Sequence, residues 1–161
     1  MSEVKLIYLR PPDFKQEWAD ILKTTIPFST CAKRQVAGLF FSKEEDLLAV
    51  VANDCLPNNG ECPRKGFLLG ENYEPCKFPD GRPQHVEDKL VKRVQELYAE
   101  DIWRGGFIVM WGHYEPCASV CIPSMTEAGV EKIIFNEENA AEIRQLYESL
   151  SASRKNRASS N

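Results

Sequence analysis

Five consecutive apolar residues, Phe107-Ile108-Val109-Met110-Trp111, constrain the fold more than any other stretch of this chain. A strand that is apolar at every position has no solvent face, so it needs cover on both sides, as in sheets packed between helices. The flanking sequence can supply that cover. Upstream, Leu90, Val94 and Leu97, with Val91 and Tyr98 beside them, fall on one helical stripe that should end near Glu100. Downstream, a short helix is expected to run to Ala128, with Gly129 as its stop. A strand over Val130–Phe135 and a last helix over Glu137–Leu150 follow, with Ala140, Ile143, Leu146, Tyr147 and Leu150 inward.

The first third of the chain reads as a helix and a hairpin. Phe14, Trp18, Ile21 and Leu22 share one face of a helix expected over Asp13–Thr25, which Pro27 ends. Val36–Phe41 and Leu47–Ala52 are short apolar runs joined by Ser42-Lys43-Glu44-Glu45-Asp46, a β-hairpin pattern. Strands alternating with helices after that hairpin imply an α/β layered fold on a mixed sheet. A chain of 161 residues is long enough for one domain with a real core. That domain is expected over residues 1–150. The segment from Ser151 onward is polar, has almost nothing to bury, and is expected to be a disordered tail.

Charge and targeting exclude some classes of function. Lys plus Arg is 20 against Asp plus Glu at 24, so the basic excess of a dominant nucleic-acid surface is missing. No apolar run approaches the roughly 18 residues that a membrane span needs. Met1 to Arg10 lacks the apolar core and small-residue cleavage site of a signal peptide, so a cytoplasmic location is expected. The six cysteines then need an explanation other than disulfides.

Two short segments offer one. Gln84-His85-Val86-Glu87 stands at a helix start, and Glu115-Pro116-Cys117-Ala118-Ser119-Val120-Cys121 stands before the next helix, with the apolar strand between them. One imidazole and two thiolates, from His85, Cys117 and Cys121, suit a tetrahedral Zn²⁺. Three protein ligands leave a fourth position for water, which the ion would acidify into a hydroxide source near neutral pH. Glu87, two residues after His85, can point its carboxylate at that water without ligating the metal. H-x-E followed by P-C-x-x-C is the zinc nucleobase deaminase signature, and here the second half is one residue longer, P-C-x-x-x-C. Pro123 is tolerated only in a first turn, so the helix should start around Cys121 and the added residue should fall in the loop before it. The bland alternatives are a surface histidine with cysteines as small core residues, or a structural zinc site, which would give Glu87 no task.

At these residues the chain resembles the cytidine deaminase superfamily, and most closely its deoxycytidylate (dCMP) deaminase branch. The likeness spans roughly Ser29 to Phe135. Ser29-Thr30-Cys31-Ala32-Lys33-Arg34-Gln35-Val36-Ala37-Gly38 looks like the opening segment of that branch, and Met125 to Phe135 looks like its helix–Ala-Gly-Ile–strand passage. The resemblance implies a three-layer α/β/α fold with a five-stranded mixed sheet, one catalytic zinc, and release of ammonia from a cytosine nucleotide. It also implies that Asn53 holds the substrate sugar and that backbone near Val86 and Cys117 positions the base. A homo-oligomer is expected on the same ground. Tyr114 stands where polynucleotide deaminases carry a pocket aromatic, and Arg34 or Lys33 could meet a 5′-phosphate; a core tyrosine and a solvated basic pair are the plain alternatives. The family usually reads H-A-E where this chain has His85-Val86-Glu87, and H-V-E is familiar from deaminases of DNA and RNA. A glycine usual after the asparagine is replaced by Asp54 and Cys55.

Asn53 to Gln84 holds five prolines, four glycines and three cysteines, a loop too long to leave unsupported. Cys31, Cys55, Cys62 and Cys76 could close a second, structural zinc site of the kind some dCMP-deaminase-like proteins carry; free thiols in a reducing cytosol are the equal alternative. Three further functions stay open: a cytosine deaminase of single-stranded DNA or RNA, a non-catalytic zinc-stabilised binding module, and a deaminase of a purine or pterin-like base.

Overall fold

The computed structural model of the protein describes residues 3–29, 35–53, 85–116 and 121–159. Its elements, in chain order, are β1 (Lys5–Leu9), α1 (Gln16–Thr25), a 3₁₀ turn (Ile26–Phe28), β2 (Ala37–Phe41), β3 (Leu47–Ala52), α2 (Val86–Leu97), α3 (Glu100–Trp103), β4 (Phe107–Trp111), α4 (Cys121–Glu127), β5 (Lys132–Asn136) and α5 (Glu137–Ser159). The strands form one mixed sheet of five in the order β1-β5-β4-β2-β3. β1, β5 and β4 run parallel, whereas β2 is antiparallel to both β4 and β3. The class is α/β, as the alternation of patterns implies.

β4 lies in the middle of the sheet and explains its own composition. Phe107 to Met110 are all buried, with β5 paired on one side and β2 on the other. Its alternate residues enter two separate clusters. Phe107 and Val109 join Leu39, Phe41 and Ile134 under Phe14, Trp18 and Leu22 of the α1 segment. Ile108 and Met110 join Phe40, Ile133 and Phe135 under Val86, Leu90, Val91 and Val94 of α2 and Met125 of α4. Successive side chains of a strand point to opposite faces, so these clusters lie on opposite sides of the sheet.

α2 approaches the sheet closely at one point. A Cβ on Gly38 of β2 would stand 2.6 Å from Val86 Cγ1, 2.8 Å from Leu90 Cδ1 and 2.9 Å from Met110 Sδ. Only a residue without a side chain lets the start of α2 rest there. Gly112 performs a similar service just after β4: its φ is +92°, and a Cβ would meet the Gln35 carbonyl oxygen at 2.2 Å.

The structure corrects several expected boundaries. β1 was not expected from the sequence; the apolar run Leu6–Leu9 forms it by pairing in parallel with β5. α1 begins at Gln16 rather than Asp13, because Phe14 N–H closes a turn onto the Arg10 carbonyl at 2.9 Å and Lys15 takes the extended N-cap conformation. α2 ends at Leu97, and Leu97 is 56% exposed rather than inward. On α5, Ala140 is buried, but Leu146 is 51% exposed and off the packed stripe. α5 also continues to Ser159 instead of stopping near Leu150. Between these points the chain contains neither Gly nor Pro, so no residue there is a strong helix breaker.

Candidate metal centre

Two helix starts build the site. His85 is the N-cap residue of α2, with φ −79° and ψ 144°, so its ring projects from extended backbone just before the first turn. Its carbonyl accepts the Lys89 N–H at 3.0 Å, which begins the helix. Glu87 follows inside that first turn, where the helix dipole favours a carboxylate. α4 begins at Cys121 with Pro123 in its first turn, where the missing N–H costs nothing, as the sequence requires. α4 also lies in the crossover from β4 to β5, which brings its first residue back beside α2.

His85 Nδ1 lies 3.3 Å from Cys121 Sγ. The Cys121 thiol is fully buried, and it donates to Glu87 Oε2 at 3.4 Å. Glu87 itself is 1% exposed. One donor atom from each of His85, Glu87 and Cys121 falls within 4.8 Å of the other two, a group able to hold a metal ion. The geometry can be tested against zinc. With Zn–N about 2.0 Å and Zn–S about 2.3 Å at a tetrahedral angle, the N-to-S edge is about 3.5 Å. The His85–Cys121 separation is close to that edge, and an imidazole with a thiolate is a donor pair that zinc accepts. The residues present fit the ion.

The other candidate residues separate into placed and unplaced. Val86 is 1% exposed, and its side chain is directed onto the sheet at Gly38. Asn53 directly follows β3, and its Oδ1 accepts the Val36 N–H at 2.9 Å and the Ser29 hydroxyl at 2.5 Å. Together with its own N–H, which donates to the Val36 carbonyl at 3.0 Å, these bonds tie β3 to the segment entering β2. Tyr114 is half-buried against the α2–α4 cluster, with its ring edge-on to Tyr147 at 5.3 Å and the Arg144 guanidinium 5.4 Å above it. Its carbonyl accepts the Tyr8 hydroxyl at 2.6 Å. Burial raises the Tyr8 phenol above its ordinary pKa, partly offset by the nearby Arg144. Cys117, the third expected metal ligand, lies outside the described residues, as do Arg34, Lys33, Cys31, Cys55, Cys62 and Cys76.

The structure also brings forward residues that the sequence reading passed over. Asp88 is 4% exposed and accepts the Ser124 hydroxyl at 2.9 Å. Lys89 Nζ donates to the Ala52 carbonyl at 2.7 Å, tying the same turn of α2 to the end of β3. The available signal was spacing: Asp88 and Ser124 each stand three residues after a candidate ligand, one helical turn along.

No protein-family model matches the chain, and no curated protein matches it. Among the described residues, no helix is long and apolar enough to cross a membrane.

Proposed function

We propose that the protein is a zinc-dependent hydrolytic deaminase that converts a cytosine nucleotide, dCMP to dUMP in the first instance, with release of ammonia. The observation that carries this reading is the buried carboxylate of Glu87 next to the His85–Cys121 pair. A purely structural metal site gains nothing from a buried acid held beside its ligands, and burying one is expensive. A hydrolytic site needs such a group to move protons.

In this reading His85 and Cys121, with Cys117, hold the ion, and the sheet with its covering helices is the three-layer deaminase architecture. When bound, zinc supplies Lewis acidity that makes water a nucleophile near neutral pH. Glu87 accepts a proton from the attacking water and delivers it to ring N3. The C4–O bond forms as the C4–N3 double bond opens; Glu87 then takes the proton of the new C4 hydroxyl and passes it to the C4 amino group, so that the C4–N bond breaks, the C4 carbonyl forms and ammonia leaves. Water is the only co-reactant, and no redox change occurs. Val86 and Cys117 backbone groups orient the base, Tyr114 packs beside it, Asn53 meets the sugar, and Arg34 the phosphate. Cys31, Cys55, Cys62 and Cys76 are available for a second, structural zinc. A cytoplasmic homo-oligomer is the form in which we propose that it works.

A second reading, deamination of cytosine within single-stranded DNA or RNA, is favoured by Val86 in place of the usual alanine and by Tyr114 under the exposed Arg144. The deciding experiment is an ammonia-release screen over cytidine and deoxycytidine nucleotides, run beside a labelled single-stranded oligonucleotide, with zinc measured on the same sample. Turnover of free dCMP supports the first reading. Turnover of the oligonucleotide alone supports the second, and zinc-loaded protein that releases no ammonia from either overturns both.

A further inference from the structure

The two helices that carry the candidate ligands are joined a second time, one turn deeper. His85 faces Cys121 at 3.3 Å, and Asp88 faces Ser124 at 2.9 Å. Each pair is separated by the same interval of 36 residues, so the second contact repeats the first after one turn of both helices. Besides these pairs and the Cys121–Glu87 contact at 3.4 Å, Val91 and Val94 of α2 share an apolar cluster with Met125 of α4. Apolar packing is non-directional and tolerates small slides along the helix axis. A short hydrogen bond to a carboxylate is directional and stronger than one between neutral groups. A functional constellation must be held to within about 0.5 Å of its working geometry, and a slide of about 1 Å between these helices would exceed that.

We propose that Asp88 and Ser124 are a positioning pair that fixes the separation of the metal donors His85 and Cys121. Neither residue is a ligand. Asp88 takes the Ser124 proton donor and sets the axial register of α2 against α4, and Lys89 holds the same turn of α2 to the end of β3 through the Ala52 carbonyl. The donor pair is then preorganised before an ion arrives, so metal binding does not have to order two helix starts. This inference rests on the reading of His85 and Cys121 as metal donors and not on which substrate the protein acts upon.

The test is Co²⁺ and Zn²⁺ binding to the full chain by competition with a chromophoric chelator, with the visible spectrum of the Co²⁺ form recorded alongside. Asp88→Asn keeps a carbonyl oxygen that can accept the Ser124 hydroxyl and should bind within about threefold of wild type. Asp88→Ala and Ser124→Ala should bind about tenfold or more weakly, within the range that partners of ligand-bearing groups usually contribute. Their Co²⁺ bands should shift as well, which loss of global stability alone would not produce. If Asp88→Ala does not melt cooperatively, Ser124→Ala decides, since it removes the same bond by deleting one oxygen atom. Alanine variants with wild-type affinity and spectrum overturn the positioning role and leave the metal site standing. A wild-type protein that takes up neither ion overturns the metal reading itself.

Discussion

On one side of the sheet, Phe14, Trp18, Ala19 and Leu22 pack on Ala37, Leu39, Phe41, Phe107, Val109 and Ile134 in a cluster that is apolar throughout and rich in rings. Phe41 and Phe107 stack at 5.1 Å, and Phe14 meets Trp18 edge-on at 5.5 Å. On the other side, α2 and α4 bury Leu90, Val94 and Met125 against Phe40, Ile108 and Met110, but the same turn of α2 also buries Glu87 and Asp88. The two sides share strands and differ in purpose. The α1 side needs only volume and apolarity, which many sequences can satisfy. The α2–α4 side keeps two carboxylates out of water, which destabilises a fold unless the groups are partnered and used.

That contrast can be broken or sharpened by substitution. The largest effect is expected at Glu87. Glu87→Ala should retain zinc and lose about 10²- to 10⁴-fold in ammonia release, the share that a positioned acid–base group contributes; normal turnover at full zinc would remove its role. On the opposite side, Phe14→Ala should lower unfolding free energy by about 3–5 kcal/mol, seen in a denaturant melt, yet leave the zinc content of the folded protein unchanged. Gly38→Ala tests the join between the two: its Cβ must displace Val86, Leu90 and Met110. It should cost about 1–3 kcal/mol and weaken Co²⁺ binding in the same protein, because the turn it pushes carries His85 and Glu87. Arg10→Ala is the small control. The Arg10–Glu137 pair, at 2.9 Å between side chains 69% and 44% exposed, should contribute below about 1 kcal/mol and no activity.

Sequence alone showed much of the α2–α4 side, for physical reasons specific to particular residues. Phe107–Trp111 has no polar position, so a strand covered on both faces was legible there without knowledge of its neighbours. Pro123 cannot stand in a helix interior, so the start of α4 at Cys121 followed. A carboxylate in a first helical turn is ordinary, so Glu87 stood out only because the His85-x-Glu87 pattern is followed, across the apolar strand, by Cys117 and Cys121. β1 was not legible: a short apolar run becomes a strand only through its parallel partner β5, more than a hundred residues away. The exposure of Leu97 and Leu146 was hidden in the same way, because helical periodicity gives a stripe but not where the neighbouring element stops covering it. The end of α5 was misjudged because a polar segment with nothing to bury can still be helical when no residue in it breaks the helix. The Asp88–Ser124 contact required the axial register of two helices, which no local pattern encodes.

The account stands or falls on a metal held between the starts of α2 and α4. The most direct test is elemental analysis of zinc per chain in the wild type and in the His85→Ala/Cys121→Ser double variant, both purified without chelator and both shown to melt cooperatively. The account predicts that the double variant holds one zinc fewer than the wild type. An unchanged zinc count, or a wild-type protein free of zinc after growth in zinc-supplemented medium, would contradict it.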